Sequence, residues 1–179
     1  MIKKILLGLV ALIALILIIA SFQSDAMSVT RSAIINAPPE AVFKVVNDFR
    51  QWDAWSPWSK IDPNMKKSFE GPSEGVGAIY HWSGNSEVGT GTSTLVESKP
   101  SEKVAIRLDM TEPFAGSSDA QFILAPEGTG TKVTWAMQSK KPFIGKIVGL
   151  FMDCEKMCGD QFNEGLANLG KIVTATPKP

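Results

Sequence analysis

Few side chains in this sequence can do chemistry. His81 is the single histidine, the only side-chain type whose ordinary pKa lies near neutrality. It alternates with Tyr80 and Trp82, so on a strand it faces away from both. With the aromatics turned inward, His81 points outward, and a proton-transfer role falls to His81 or Tyr80 only if one of them reaches a cavity. Arg107 and Asp109 share the polar side of an alternating stretch, which reads as solvated sheet surface; Glu112 and Asp119 lie near turns. There is no paired-carboxylate site, Ser-His-Asp order, phosphate loop or metal-ligand spacing, and Gly89-Thr90-Gly91 sits within strand sequence. Cys154 and Cys158 are four apart. On one helix that spacing makes a disulfide sterically awkward, so they read as two small buried hydrophobes. A lone histidine argues against a dedicated zinc site. No catalytic residue, metal or cofactor is expected.

The remaining signal is apolar. Val104, Ile106, Leu108 and Met110 face one way while Lys103, Arg107 and Asp109 face the other; Val133, Trp135 and Met137 share a face in the same manner. These are half-buried antiparallel strands. Trp52, Trp55 and Trp58 recur at a spacing of three around Pro57. Such a cluster either rims a cavity or membrane-facing patch, or plugs the small end of the core.

The elements that position these residues follow from patterning. Ile5 to Ala20 is sixteen residues without a charge or polar side chain, behind Lys3 and Lys4. As a helix, at about 1.5 Å per residue, it approaches the roughly 30 Å of a bilayer core. It reads as a signal-anchor, with a cleaved signal as the alternative; the run exceeds the usual signal core and no clean small-x-small site follows. The leading lysines keep the N-terminus cytoplasmic. The domain then lies on the periplasmic or extracytoplasmic side of the inner membrane. The expected division is a stub over 1–4, a span over 5–22, a linker over 23–27, a domain over 28–173 and a frayed tail over 174–179.

Lys plus Arg and Asp plus Glu are 18 each, and no basic run occurs, which argues against nucleic-acid binding. Ser28 to Ala37 predicts a strand; Pro38-Pro39-Glu40 opens a helix to about Asp48. Five further strands are predicted over 65–70, 76–83, 88–97, 103–111 and 121–125, and another over 132–138. Residues 142–173 carry apolar positions at three- and four-residue steps, predicting one amphipathic helix of 25 to 30 residues. The fold class is α+β: a curved antiparallel sheet of six to seven strands wrapped around one long C-terminal helix, preceded by a single N-terminal transmembrane helix. One helix cannot fill the concavity of a curved sheet, so a cavity between them is expected.

This order, with Ala37-Pro-Pro-Glu-Ala-Val-Phe43, Trp52-Asp-Ala-Trp55-Ser-Pro-Trp58, Gly75 to Asn85, Gly128-Thr-Gly-Thr131, Val133-Thr-Trp135 and Gly165-Leu-Ala-Asn-Leu169, resembles the START-like, helix-grip superfamily. Within it the chain is similar to the membrane-anchored bacterial branch grouped with polyketide cyclases/dehydrases and lipid-transport proteins. The resemblance covers 28–173. It implies an apolar cavity for a hydrophobic small molecule or lipid, and no transferable catalytic motif. The expected wall is Tyr80, Trp82, Leu108, Met110, Trp135, Met137 and Phe151, with Trp55 and Trp58 near the mouth. A cyclase-like enzyme and a non-catalytic structural or regulatory domain are the alternatives.

Overall fold

The computed structural model describes residues 1–175. Helix α1 (Ile2–Ser21) carries the apolar run and is the one helix among the described residues long and apolar enough to cross a membrane. Seven strands follow: β1 (Ala26–Ile35), β2 (Lys66–Glu70), β3 (Ile79–Ser83), β4 (Thr90–Lys99), β5 (Lys103–Glu112), β6 (Gly116–Glu127) and β7 (Gly130–Lys140). They form one antiparallel sheet in the order β1-β7-β6-β5-β4-β3-β2. From β2 to β7 the chain meanders. Only the β1-to-β2 connection crosses the sheet, and it carries α2 (Pro39–Val46), a 3-10 turn (Phe49–Ala54) and α3 (Trp58–Ile61) over the concave face. Helices α4 (Phe143–Val148) and α5 (Cys154–Ala175) close the chain. The architecture is the expected α+β helix grip, with Thr174 and Ala175 part of α5. The rest of the expected tail, 176–179, lies outside the described residues.

Two differences from the patterning have physical causes. β6 begins at Gly116, five residues ahead of its first regular apolar alternation. Gly116 to Ala120 has the wrong side chains for a strand but is paired with β5, and from Ser118 also with β7; a backbone held by its neighbours meets its hydrogen-bonding needs whatever the side chains are. The C-terminal helix is broken. α4 stops at Gly149, and Asp153 caps α5 by accepting from the Lys156 backbone N–H at 2.8 Å, a standard N-cap arrangement. The residues between, Leu150 to Met152, leave the helical path.

The core fills one end of the grip. Trp135 on β7 stacks on Phe162 of α5 with ring centroids 4.0 Å apart and planes 6° from parallel. Trp55 stands edge-on to Phe122 and Trp135, at 5.9 and 5.6 Å; Trp52 meets Phe122 at 5.9 Å. Trp52 donates its indole N–H to the Val46 carbonyl at 3.0 Å. The Trp55 indole N–H is buried without a hydrogen-bond acceptor. Glycine makes the close approach of α5 possible: a Cβ on Gly165 would lie 2.8 Å from the Trp135 ring. Asn168, one turn on, donates to the Trp55 carbonyl at 3.3 Å, tying the helix to the indole cluster.

Candidate functional site

The other end of the grip is open. A cavity of about 600 Å³ lies there, bounded by three segments. The β5–β6 hairpin supplies Met110, Phe114 and Gly116 to Ser118. The end of β7 and the start of α4 supply Ser139 to Pro142 and Gly145. The α4–α5 connection supplies Gly149 to Cys154, with Glu155 on α5 and Met27 on β1 completing the ring. The break at Gly149 is what builds this space. An uninterrupted helix would have continued along its axis, whereas the turn swings Leu150, Phe151 and Met152 across the sheet's open end.

The wall is held from behind. Arg107 donates to Asp119 at 2.9 Å across β5 and β6, and Ser117 donates to Asp109, fixing the hairpin. Lys141 pairs with Glu155 at 3.3 Å, joining β7 to α5. Its backbone N–H donates to the Asp25 carbonyl at 2.6 Å, which fastens the segment after α1 to the start of α4. The lining is mainly apolar, with Ser117, Ser118, Ser139, Lys140, Lys141, Asp153 and Glu155 as its polar residues. Lys140 makes no ion pair among the described residues. Cys154 touches the cavity; both cysteines are free thiols and half-buried. Burial pushes the Cys158 thiol up to about 11, against a smaller opposing influence of Arg31.

The expected wall divides. Met110 and Phe151 line the cavity. Tyr80, Leu108, Trp135 and Met137 face the same side of the sheet but belong to the core or pack against it. Trp82 is a buried core residue and also borders a separate shallow groove of about 350 Å³ with His81 and Thr92. The mouth placement of two tryptophans is corrected: Trp55 is wholly buried, and Trp58 packs on Trp135 and Phe162. They plug the small end of the core, because three bulky indoles leave water only by stacking on one another. Nor do the two nominees for proton transfer reach the cavity. His81 sits on the opposite sheet face with Nδ1 3.0 Å from the Thr92 hydroxyl and Nε2 3.4 Å from Glu70. Tyr80 is stacked between Phe69 and Trp82, and burial, with the nearby Asp53 charge, raises its pKa above the usual phenol range.

Sequence reasoning missed Met27, Phe114, Leu150 and Met152. The available signals were the Gly149 and Asp153 pair as helix stop and start, and the apolar Phe114 inside the turn Glu112-Pro113-Phe114-Ala115.

The profile of the family described as polyketide cyclase/dehydrase and lipid transport matches residues 26–174. The chain belongs to that family. The match starts at the first residue of β1 and ends one residue short of the end of α5, so this polyketide cyclase/dehydrase and lipid-transport domain is the whole sheet and its helices, without α1. Among curated proteins, none matches the sequence. Solved structures share the family's architecture at low identity. Protein MLL2253 from Mesorhizobium loti superposes with a TM-score of 0.62 at 16% identity, covering 85% of this chain and 100% of that one. The Aha1 dimer from Colwellia psychrerythraea gives 0.59 at 15%, covering 85% and 99%. CalU16 from Micromonospora echinospora gives 0.56 at 16%, covering 86% and 78%. At these identities the likeness establishes the fold.

Proposed function

We propose that this chain is a membrane-anchored binding module that takes a hydrophobic small molecule or lipid into the cavity at the open end of the grip. The cavity carries the reading. Its volume of about 600 Å³ falls in the range of small-molecule sites, roughly 300–1,000 Å³. Its wall pairs flexible and aromatic side chains, Met27, Met110, Phe114 and Leu150, with several polar residues. Such a wall suits an amphipathic ligand: apolar area is buried against methionines that adapt to its shape, and the polar residues of the lining meet a polar head. The family description, polyketide cyclase/dehydrase and lipid transport, agrees with this ligand class.

Anchoring is the second part of the proposal. α1 spans the inner membrane once, Lys3 and Lys4 hold its N-terminus on the cytoplasmic side, and the domain lies on the periplasmic or extracytoplasmic side. For the cyclase-type alternative, neither His81 nor Tyr80 lines this cavity.

The test is native mass spectrometry, with organic extraction, of the full-length protein purified from its own membranes. The expected result is the intact mass carrying one stoichiometric apolar adduct. A chain shortened after residue 20 or so removes the anchor from the proposal, and an empty cavity in protein extracted with gentle detergent and offered a broad lipid panel removes the ligand.

A further inference from the structure

The rim of the cavity is apolar on its outer side as well. Phe151 is 72% exposed, Phe114 56%, and Met152, Phe143 and Ile144 are each between 44% and 49%. Phe114, Met152 and Phe151 come from two different segments of one opening, and Phe143 and Ile144 stand on α4 beside it. Elsewhere the exposed apolar residues of the domain are scattered, Ile34, Val96 and Ile123 on strands, Val76 in a turn and Met157 on α5, as on any protein surface. The rim group is a contiguous patch, which calls for an occupant.

The chain itself says which occupant. α1 ends at Ser21 and Met27 already lines the cavity. From Phe22 to Met27 there are five peptide steps of at most about 3.6 Å each, roughly 18 Å in all. The true separation is shorter, because α1 packs against α4 and Lys141 is bonded to Asp25. The point where the chain leaves the apolar helix is thereby fixed beside the cavity mouth. Lys140, Lys141 and Lys146 lie at the same end. Phenylalanines with flanking lysines are the composition of an interfacial membrane contact.

We infer that the rim formed by Phe114, Phe143, Ile144, Phe151 and Met152 seats in the outer leaflet of the bilayer that α1 spans, so that the cavity opens into lipid and not into water. This rests on the anchored, ligand-binding reading above and deepens it: the ligand is an amphiphile resident in that leaflet, drawn in tail first past the rim.

The experiment uses the full-length chain in vesicles of phosphatidylcholine with phosphatidylglycerol. Cys154→Ala and Cys158→Ala give a thiol-free background, and an environment-sensitive NBD label is placed at Phe151→Cys, at Phe114→Cys, or at Thr129→Cys in the β6–β7 turn, the opposite end of the sheet. The expected result is blue-shifted emission, quenching by doxyl-labelled lipid and protection from iodide at 151 and 114, with the reverse at 129. Two rim sites guard against one label disturbing its own surroundings. Labels at 151 and 114 that iodide quenches as strongly as the label at 129 overturn the seating, whatever the mass spectrum of the purified protein shows. Membrane-buried labels on a protein that never carries an adduct keep the seating and sink the ligand reading instead.

Discussion

The two ends of the grip use the same sheet face for opposite purposes. At the closed end, Trp55, Phe122, Trp135 and Phe162 are each less than 5% exposed and meet ring to ring, stacked or edge-on. At the open end, Met110 and Met27 are partly exposed and the covering residues, Leu150 to Met152, come from a connection between helices. Rigid rings with few rotamers make a unique, well-packed core; unbranched methionines accept several shapes at small cost. One half of the concavity is committed to stability, and the other half is left open, which is where the proposed ligand would sit.

Substitutions at the two ends should therefore separate cleanly. The largest effect is expected for Trp135→Ala at the closed end, about 3–5 kcal/mol of unfolding free energy by chemical denaturation. A large loss of ligand with an unchanged denaturation midpoint would break the division, since it would make the closed end a site. Next is Gly165→Ala, where the new methyl meets the Trp135 ring: about 1–3 kcal/mol of overpacking is expected. Its counterpart at the open end, Gly145→Ala, has its nearest neighbour at 3.4 Å and should be neutral or stabilising by up to about 1 kcal/mol through helix propensity. Equal destabilisation by both would show that α4 is packed as tightly as α5.

Smaller in free energy is Phe151→Ser. Being mostly exposed, it should leave stability within about 0.5 kcal/mol while weakening retention of an apolar adduct roughly tenfold, the equivalent of about 1.4 kcal/mol, read by competitive extraction. A further effect depends on pH. The folded Cys158 thiol titrates near 11 instead of 9, so above pH 9 the unfolded chain loses its proton while the folded one keeps it. Stability on this account is complete below pH 9 and declines as pH rises through 11. Cys158→Ala should flatten that decline in thermal unfolding at pH 8 to 11; an unchanged slope would assign it to another group.

Much of the fold was legible because alternation identifies a strand whichever fold it joins. β5 and β7 show this best, with Val104, Ile106, Val133 and Trp135 all on the buried face. Alternation reports which face an apolar side chain takes, however, and not what covers it. Leu108, Trp135 and Met137 are correctly on the concave side, yet the difference between core and wall depends on where the indoles of Trp52, Trp55 and Trp58 come to rest, a matter of long-range packing. The cavity residues were hardest to read for a related reason. Phe114 and Leu150 to Met152 lie in connections, where no period exists to follow, and the apolar spacing of 142–173 runs smoothly across the break that Gly149 and Asp153 impose.

The bond from the Lys141 amide to the Asp25 carbonyl has a consequence for delivery. A carrier on a long flexible tether can swing from one membrane to another. Here, with α1 in the bilayer, the tether is a few residues long and is pinned to α4, so the cavity samples little beyond its own patch of leaflet and meets that leaflet at high effective concentration. On the proposed anchored, ligand-binding reading, such a protein does not ferry cargo across an aqueous gap: it extracts, holds and presents, and the acceptor has to come to it.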